Sequence, residues 1–484
     1  MWTEPHRGRG AHQSVPAAAA GCATQRRRLS AAPVSGTYKF ALTGDVIMNT
    51  PVSACRDEDV LAAVDVLRAA DVTHAHLEIP LHDFDRADIF GAAEGALSWM
   101  RGPTRIADEL RWLGVDVVTA ASNHSLDYSY GGLQRTIEAL DAVGLPHAGI
   151  GADLSAARAA AFADTAVGRF AVVSATSAFP TFARAGTTRP DAPGRPGVNP
   201  LRYLHVVGPA VAEQIRTIAG GLGMWVVSDG DEFVVHPPGL HNSITRFRVA
   251  PENSMSTTTC DVDDLDGTME SIRLAAGTAD LVVAHLHVQA WDGADGRMSS
   301  TPAFVHEFAD AAIQSGARIV LVQGSHAPMR GVEIRSGVPV FHDPGPLFRL
   351  GRREAQPHDF YLRWGNSGPV RSLDAGPLDA FGERDHALGG AGSRKTVHSP
   401  LEGNNHEPGF VIPVCIVDAA THRVVRIELH PMSWSAARRA TTGFPVRARG
   451  PRAQAILSRL GALSAPYGTV LSIDADQERG VIVV

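Results

Sequence analysis

The sequence predicts an α/β fold in which strands of a largely parallel sheet alternate with helices covering both faces. Three observations carry this expectation. Short apolar runs, Val72–Leu77, Val115–Ala120 and Leu281–Leu286 among them, recur between segments whose apolar residues fall at helical spacing. Glycine and proline punctuate those segments where helices start and stop, as Pro103, Gly114 and Gly144 do. The apolar runs also repeatedly end in carboxylate, amide or imidazole residues, as expected when ligand-binding loops gather at the carboxyl edge of a parallel sheet.

Ordered structure is expected from Thr37. Tyr38–Leu42 reads as a strand ending in Gly44-Asp45. Asp59–Ala70, with Val60, Val64 and Leu67 on one face, reads as a helix. The Val72–Leu77 strand ends in Glu78. A helix with Ile106, Leu110 and Leu113 inward then leads to the Val115–Ala120 strand and the loop Asn123-His124 to Asp127-Tyr128. Leu133, Ile137 and Leu140 mark the next helix, followed by strand ends at Gly149–Ala152 and Arg169–Ser174.

Residues of about 180–260 break the rhythm. Thr187–Pro200 is rich in proline, glycine and arginine and reads as an inserted flap carrying Arg189, Arg195 and Arg202, placed to meet an anionic substrate. A helix near Pro209–Gly220 and a strand near Met224–Val227 follow. The rhythm then returns, with a helix near Asp261–Ala275, a strand ending at His285 and His287, and a helix at Pro302–Ser315. Arg318–Val322 runs into Gln323-Gly324-Ser325-His326, and Val338–Phe341 into His342-Asp343. Residues 351–408 are poor in apolar residues and read as a loop-rich insertion. Residues 409–484 supply strands at Phe410–Val417 and Val424–Leu429 and a helix at Arg452–Leu463 that complete the core of a domain begun at 37–350.

Composition narrows the function classes. The chain has 484 residues, 44% apolar and 20% charged, as in an ordinary globular protein. A net charge of -7 and a pI near 6.3 argue against a nucleic-acid partner. The four scattered cysteines fit reduced thiols, not a disulfide scaffold or zinc knuckle. No apolar run reaches the roughly 18 residues of a membrane helix, so no integral membrane segment is expected. Residues 1–36 read as a disordered basic leader. Its Arg26-Arg27 lacks the hydrophobic region of an export signal, which favours a cytoplasmic location over export.

The polar residues at the strand ends are Asp45, Glu78, Asn123, His124, His287 and His326, with His285, His342 and Asp343 in reserve. Carboxylates, an amide oxygen and imidazoles form a ligand set suited to one or two divalent ions of Mn, Fe, Zn or Mg. Such ions generate a nucleophile at neutral pH and neutralise developing charge. His124, beside a ligand, can donate a proton near neutrality, and Asp127 three residues on can hold its tautomer.

Several stretches together resemble the CapA family of poly-γ-glutamate capsule synthesis proteins, whose core is similar to calcineurin-like metallophosphoesterases. They are Gly44-Asp45-Val46, His76-Leu77-Glu78-Ile79-Pro80-Leu81, Ala121-Ser122-Asn123-His124 through Asp127-Tyr128, and Gly149-Ile150-Gly151-Ala152. Leu286-His287, Gly324-Ser325-His326 and Arg195 to Arg202 add to these. The resemblance spans about residues 37–350 and implies a layered α/β sandwich with inserted loops. It further implies Asp45, Glu78, Asn123, His287 and His326 as metal ligands and His124 as the acid for the leaving group. The function implied is a metal-dependent hydrolase, in which metal-bound hydroxide attacks a phosphoester or γ-glutamyl-type amide of an anionic small molecule or polymer. The alternative is a non-catalytic component of capsule polymer assembly with a degenerate metal site. The sequence departs from the pattern at Ile47, where metallophosphoesterases carry a histidine, and at Pro328-Met329, where a second histidine is expected after His326. His285 or His342 would have to make good the difference.

Overall fold

The computed structural model describes residues 36–93, 98–239, 245–251, 256–290, 300–325, 329–349, 354–365, 371–387, 409–436, 438 and 440–484. The leader and His326 therefore lie outside the described residues.

The expected single parallel sheet is instead two mixed sheets packed face to face. The first has at its centre β1 (Thr37–Val46), β2 (Val72–Leu77) and β3 (Val117–Thr119), all parallel. It continues antiparallel from β1 through Phe410–Asp418 and Val424–Trp434. The second is built on Gly168–Thr176, Leu281–His287, Ile319–Gln323 and Val338–His342, again parallel, with antiparallel strands at each edge. Local periodicity shows that a strand has an apolar face but not which surface covers it. Here each sheet covers one face of the other.

Alternation along the strands sorts the layers. Tyr38, Phe40, Leu42, Val72 and Val117 of the first sheet meet Phe170, Val172, Leu281, Val283, Ile319 and Leu321 of the second in one buried cluster. The outer face of the first sheet, with Ala41, Ala75, Leu77 and Val118, packs under α1 (Glu58–Arg68), α2 (Ile106–Trp112) and α3 (Ser129–Ala142). That of the second, with Val282, Ala284, Val320 and Val322, packs under helices Val262–Ala276 and Ala303–Gln314. The result is a four-layer helix–sheet–sheet–helix sandwich. The Gly450–Ser464 helix joins the inter-sheet cluster through Ala453, Ile456, Leu457 and Leu460.

Two insertions differ from expectation. Residues beyond the flap form a five-stranded sheet with a helix at Pro209–Gly221 and a small core of Val207, Ala212, Ala219, Phe233 and Val235. The 351–408 region, expected as loop, contains helices His358–Trp364 and Pro377–Ala387. Their Phe360 and Phe381 pack with Ile89, Trp99 and Tyr128 beside the Asn123-His124 loop. Few apolar residues suffice there because aromatic rings bury a large area each.

Candidate metal centre

The inner faces change character along their length. On β2 the inward positions run Val72, His74, His76, and on the Leu281–His287 strand they run Leu281, Val283, His285, His287. Ile319, Leu321 and Gln323 do the same on their strand. The inter-sheet space is therefore apolar at one end and polar at the carboxyl end, where the parallel strands of both sheets terminate together.

Asp45 reaches this space through a β-bulge. Leu42 pairs with His74 and Asp45 with His76, so three steps on β1 oppose two on β2. The extra residue reverses the alternation and turns Asp45 to the inner face, as bulges beside functional sites do. Gly44 is required there, because a Cβ would stand 1.8 Å from the Gly345 carbonyl oxygen. That close approach brings the 343–346 turn over the site, and Leu347 donates its N–H to the Asp45 carbonyl at 2.9 Å.

The buried side chains converge as follows. His287 Nε2 lies 2.9 Å from Asn123 Oδ1 and 3.9 Å from Glu78 Oε1, while its Nδ1 lies 3.7 Å from Asp45 Oδ1. His76 Nε2 stands 3.9 Å from the same Asp45 oxygen, and its ring stacks on His287 with centroids 5.2 Å apart. Gln323 Nε2 donates to Asp45 Oδ1 at 3.1 Å. Gly324, at φ 95°, has no side chain because a Cβ there would fall 2.4 Å from His287 Cε1. Asp45, His76 and His287 thus present three ligand atoms within 4.8 Å of one another.

The electrostatics of this buried group suit a cation. Both carboxylate oxygens of Glu78, Nε2 of His76 and Oε1 of Gln323 are buried without a hydrogen-bond partner among the described residues. Such groups cost free energy unless something pairs them. Burial raises Asp45 well above the usual carboxylate range, and the nearby charges of Glu78 and Asp343 add to this. Burial likewise lifts Glu78 to about 7. Burial, reinforced by neighbouring imidazoles, holds His76 and His285 far below their ordinary values, so they present neutral ligand nitrogens. A divalent ion would satisfy the orphaned atoms and reverse the penalty on the carboxylates, so the donor set fits one.

Of the residues singled out in the sequence, the structure brings Asp45, Glu78, Asn123 and His287 together. His124 and Asp127 lie alongside, with His124 Nδ1 2.6 Å from Asp127 Oδ2, which also accepts the Met100 N–H at 2.7 Å. Burial opposes a charge on His124, but Asp127 and Glu78 outweigh it and raise the imidazole above its ordinary value. Asp343 is held by Ser325 and Gly345 N–H groups, both at 2.9 Å, and acts electrostatically on Asp45 and Glu78.

His342 does not serve the site. Its Nε2 lies 3.1 Å from Glu333 in a second cluster with His306. There Arg335 donates to Glu333 at 2.9 Å and to the His306 carbonyl at 3.0 Å, so a guanidinium already supplies the positive charge. Ile47, where a histidine was expected, is buried in the apolar cluster under the helices, and Met329 in the inter-sheet core. His76, overlooked in the sequence reading, occupies the place beside Asp45 instead. Its signal was the alternation of His74, His76 and Glu78 along one strand face.

Of the flap arginines, Arg202 is held by Asp264 at 2.6 Å and Asp261 at 3.1 Å, and Arg189 pairs with Asp191 at 2.9 Å on the surface. Both are thus engaged by carboxylates of the chain itself. Arg195 has no carboxylate partner among the described residues and lines a cavity.

Comparison with known proteins agrees with this architecture. Two uncharacterized proteins of Sinorhizobium fredii, y4sH and y4uA, are each 28% identical to the chain over 442 residues, covering 90% of it and 91% of their own length. The described helices include none long and apolar enough to cross a membrane. The fold is the α/β, metallophosphoesterase-like sandwich. The model of the bacterial capsule synthesis protein family matches residues 39–347, and the chain belongs to that family.

Proposed function

We propose that the protein is a metal-dependent hydrolase of the CapA type, acting on a phosphoester or a γ-glutamyl-type amide in an anionic substrate. The observation that carries this is the buried group of Asp45, His76, Glu78, Asn123 and His287, in which both Glu78 carboxylate oxygens and His76 Nε2 have no hydrogen-bond partner among the described residues. A bound divalent ion would supply Lewis acidity and a nucleophile at neutral pH.

The chain's own residues would do the rest. Asp45 and His287 would hold the ion with His76, and Glu78 and Asn123 would close the set. Gln323 orients Asp45, and Thr119 orients His76 through a 3.0 Å contact to Nδ1, leaving Nε2 toward the site. His124, whose hold on its proton Asp127 strengthens, would deliver a proton to the leaving group.

The replacement of a ligand histidine by buried Ile47 favours a second reading, a capsule-assembly component that binds polymer without cleaving it. One experiment separates the two. The purified chain is assayed for bound metal by mass spectrometry and screened on bis-p-nitrophenyl phosphate and γ-glutamyl-p-nitroanilide. The hydrolase reading requires stoichiometric metal and turnover that Asp45→Asn abolishes. Turnover that survives Asp45→Asn, or a folded chain that takes up no metal, would sink it.

A further inference from the structure

We propose that the cavity behind the flap binds an oxyanion group, carboxylate or phosphate, carried by the substrate of the metal centre. The proposal rests on the reading of that centre given above. The cavity has a volume of about 250 Å³, and Arg184, Arg195, Arg202, Leu154, Thr187 and Asp264 are among its lining residues.

Its charge is unbalanced. Arg202 is neutralised by Asp264 and Asp261, Arg158 lies 3.4 Å from Asp264, and Arg246 pairs with Asp261. With Asp263 and Glu232 included, four carboxylates face six guanidinia, those of Arg158, Arg184, Arg195, Arg202, Arg246 and Arg248, leaving an excess of two positive charges. The excess lies on Arg184 and Arg195. Among the described residues the Arg184 side chain has no hydrogen-bond or ion-pair partner. Arg195 spends only Nε, on the Arg184 carbonyl at 2.8 Å.

The backbone holds these two like charges together. Arg184 bridges to Val198, Ala185 donates to the Val198 carbonyl at 3.1 Å, and Gly186 and Arg195 exchange N–H···O bonds of 2.9 and 3.3 Å. Burial, then the charges of Arg202 and Arg195, pull Arg184 below its ordinary value. Two neighbouring guanidinia that form no ion pair with a carboxylate among the described residues, in a cavity, suit a ligand that brings two acceptor oxygens.

The position joins this cavity to the centre. Pro200, on its wall, bridges to Thr176, which is in register with His287. Two strand spacings amount to roughly 10 Å. One extended anionic molecule can therefore reach both places.

The test uses the full chain freed of metal by chelation and titrated calorimetrically with inorganic phosphate and, separately, with glutarate. The tighter probe identifies the oxyanion source. Arg184→Gln with Arg195→Gln should weaken binding about ten- to a hundredfold. Arg184→Lys should fall between, since it keeps charge but not the paired donors. Asp45→Asn should bind as the native chain does, and 0.5 M salt should weaken all binding. Native affinity in the double variant, with an unchanged circular dichroism spectrum, would overturn the proposal. So would binding of neither probe by the native chain. Binding lost in Asp45→Asn but kept in the double variant would place the anion at the metal centre, refuting the cavity site while leaving the hydrolase reading intact.

Discussion

Replacing Glu78 by glutamine tests the metal centre through stability alone. In the metal-free protein the carboxyl is fully buried, and burial raises it from 4.5 to about 7. The folded state therefore holds a proton that the unfolded state releases between those pH values, so stability falls as pH rises through that window. At 1.4 kcal/mol per pH unit the loss is roughly 3 kcal/mol by pH 8. Glu78→Gln keeps the shape and removes the charge, so the metal-free variant should be more stable than the native chain at pH 8 by up to roughly 3 kcal/mol and similar to it at pH 5. With metal the difference closes. An ion at a hundred times its dissociation constant stabilises the native fold by about 2.7 kcal/mol, and the variant should gain far less. The assay is urea unfolding followed by circular dichroism, at pH 5 and 8, with chelator and with Mn²⁺ or Zn²⁺. A stability difference between the metal-free variant and the metal-free native chain that does not grow from pH 5 to 8, or a variant stabilised by metal as strongly as the native chain, would refute the reasoning.

Further outcomes follow from the same geometry. His76→Ala should lower metal content, whereas His342→Ala should leave metal content unchanged; both are read by mass spectrometry of the purified protein. His124→Asn should retain metal while turnover falls about 10²- to 10⁴-fold, the usual worth of a positioned proton donor; parallel loss of metal would remove it from that role. Gly44→Ala would force its Cβ against the Gly345 carbonyl. It should cost about 1–3 kcal/mol, the typical cost of overpacking, and weaken metal binding as Asp45 is displaced; unchanged denaturation midpoints would show that the bulge does not need the glycine.

Much of the candidate site was legible one residue at a time. Asp45, Glu78, Asn123 and His287 each follow an apolar run, and strand ends of a parallel sheet converge, so their association needed no knowledge of the fold beyond its class. His76 was not legible in that way. It lies inside a strand and faces the site only because the second sheet ends at the same level, and the alternation of His74, His76 and Glu78 marks a face without saying what covers it. Arg202 has partners that its local sequence does not show. Its basic, proline-rich setting suggested solvent and substrate, but Asp261 and Asp264, some 60 residues away, neutralise it. The helices at His358–Trp364 and Pro377–Ala387 escaped notice because they are short and bury few, aromatic residues.

By itself the amino-acid order determined the succession of strands and helices, the edge at which polar residues gather, and a donor set that suits a hard or borderline divalent ion. Those properties depend on neighbours a few positions apart, where periodicity, glycine and proline act directly. Only the tertiary structure decided that two mixed sheets face each other, that a bulge turns Asp45 inward, and that His76 stands where Ile47 cannot. Each of these depends on which surface covers which, and contact between residues far apart in the chain is not written in any local pattern.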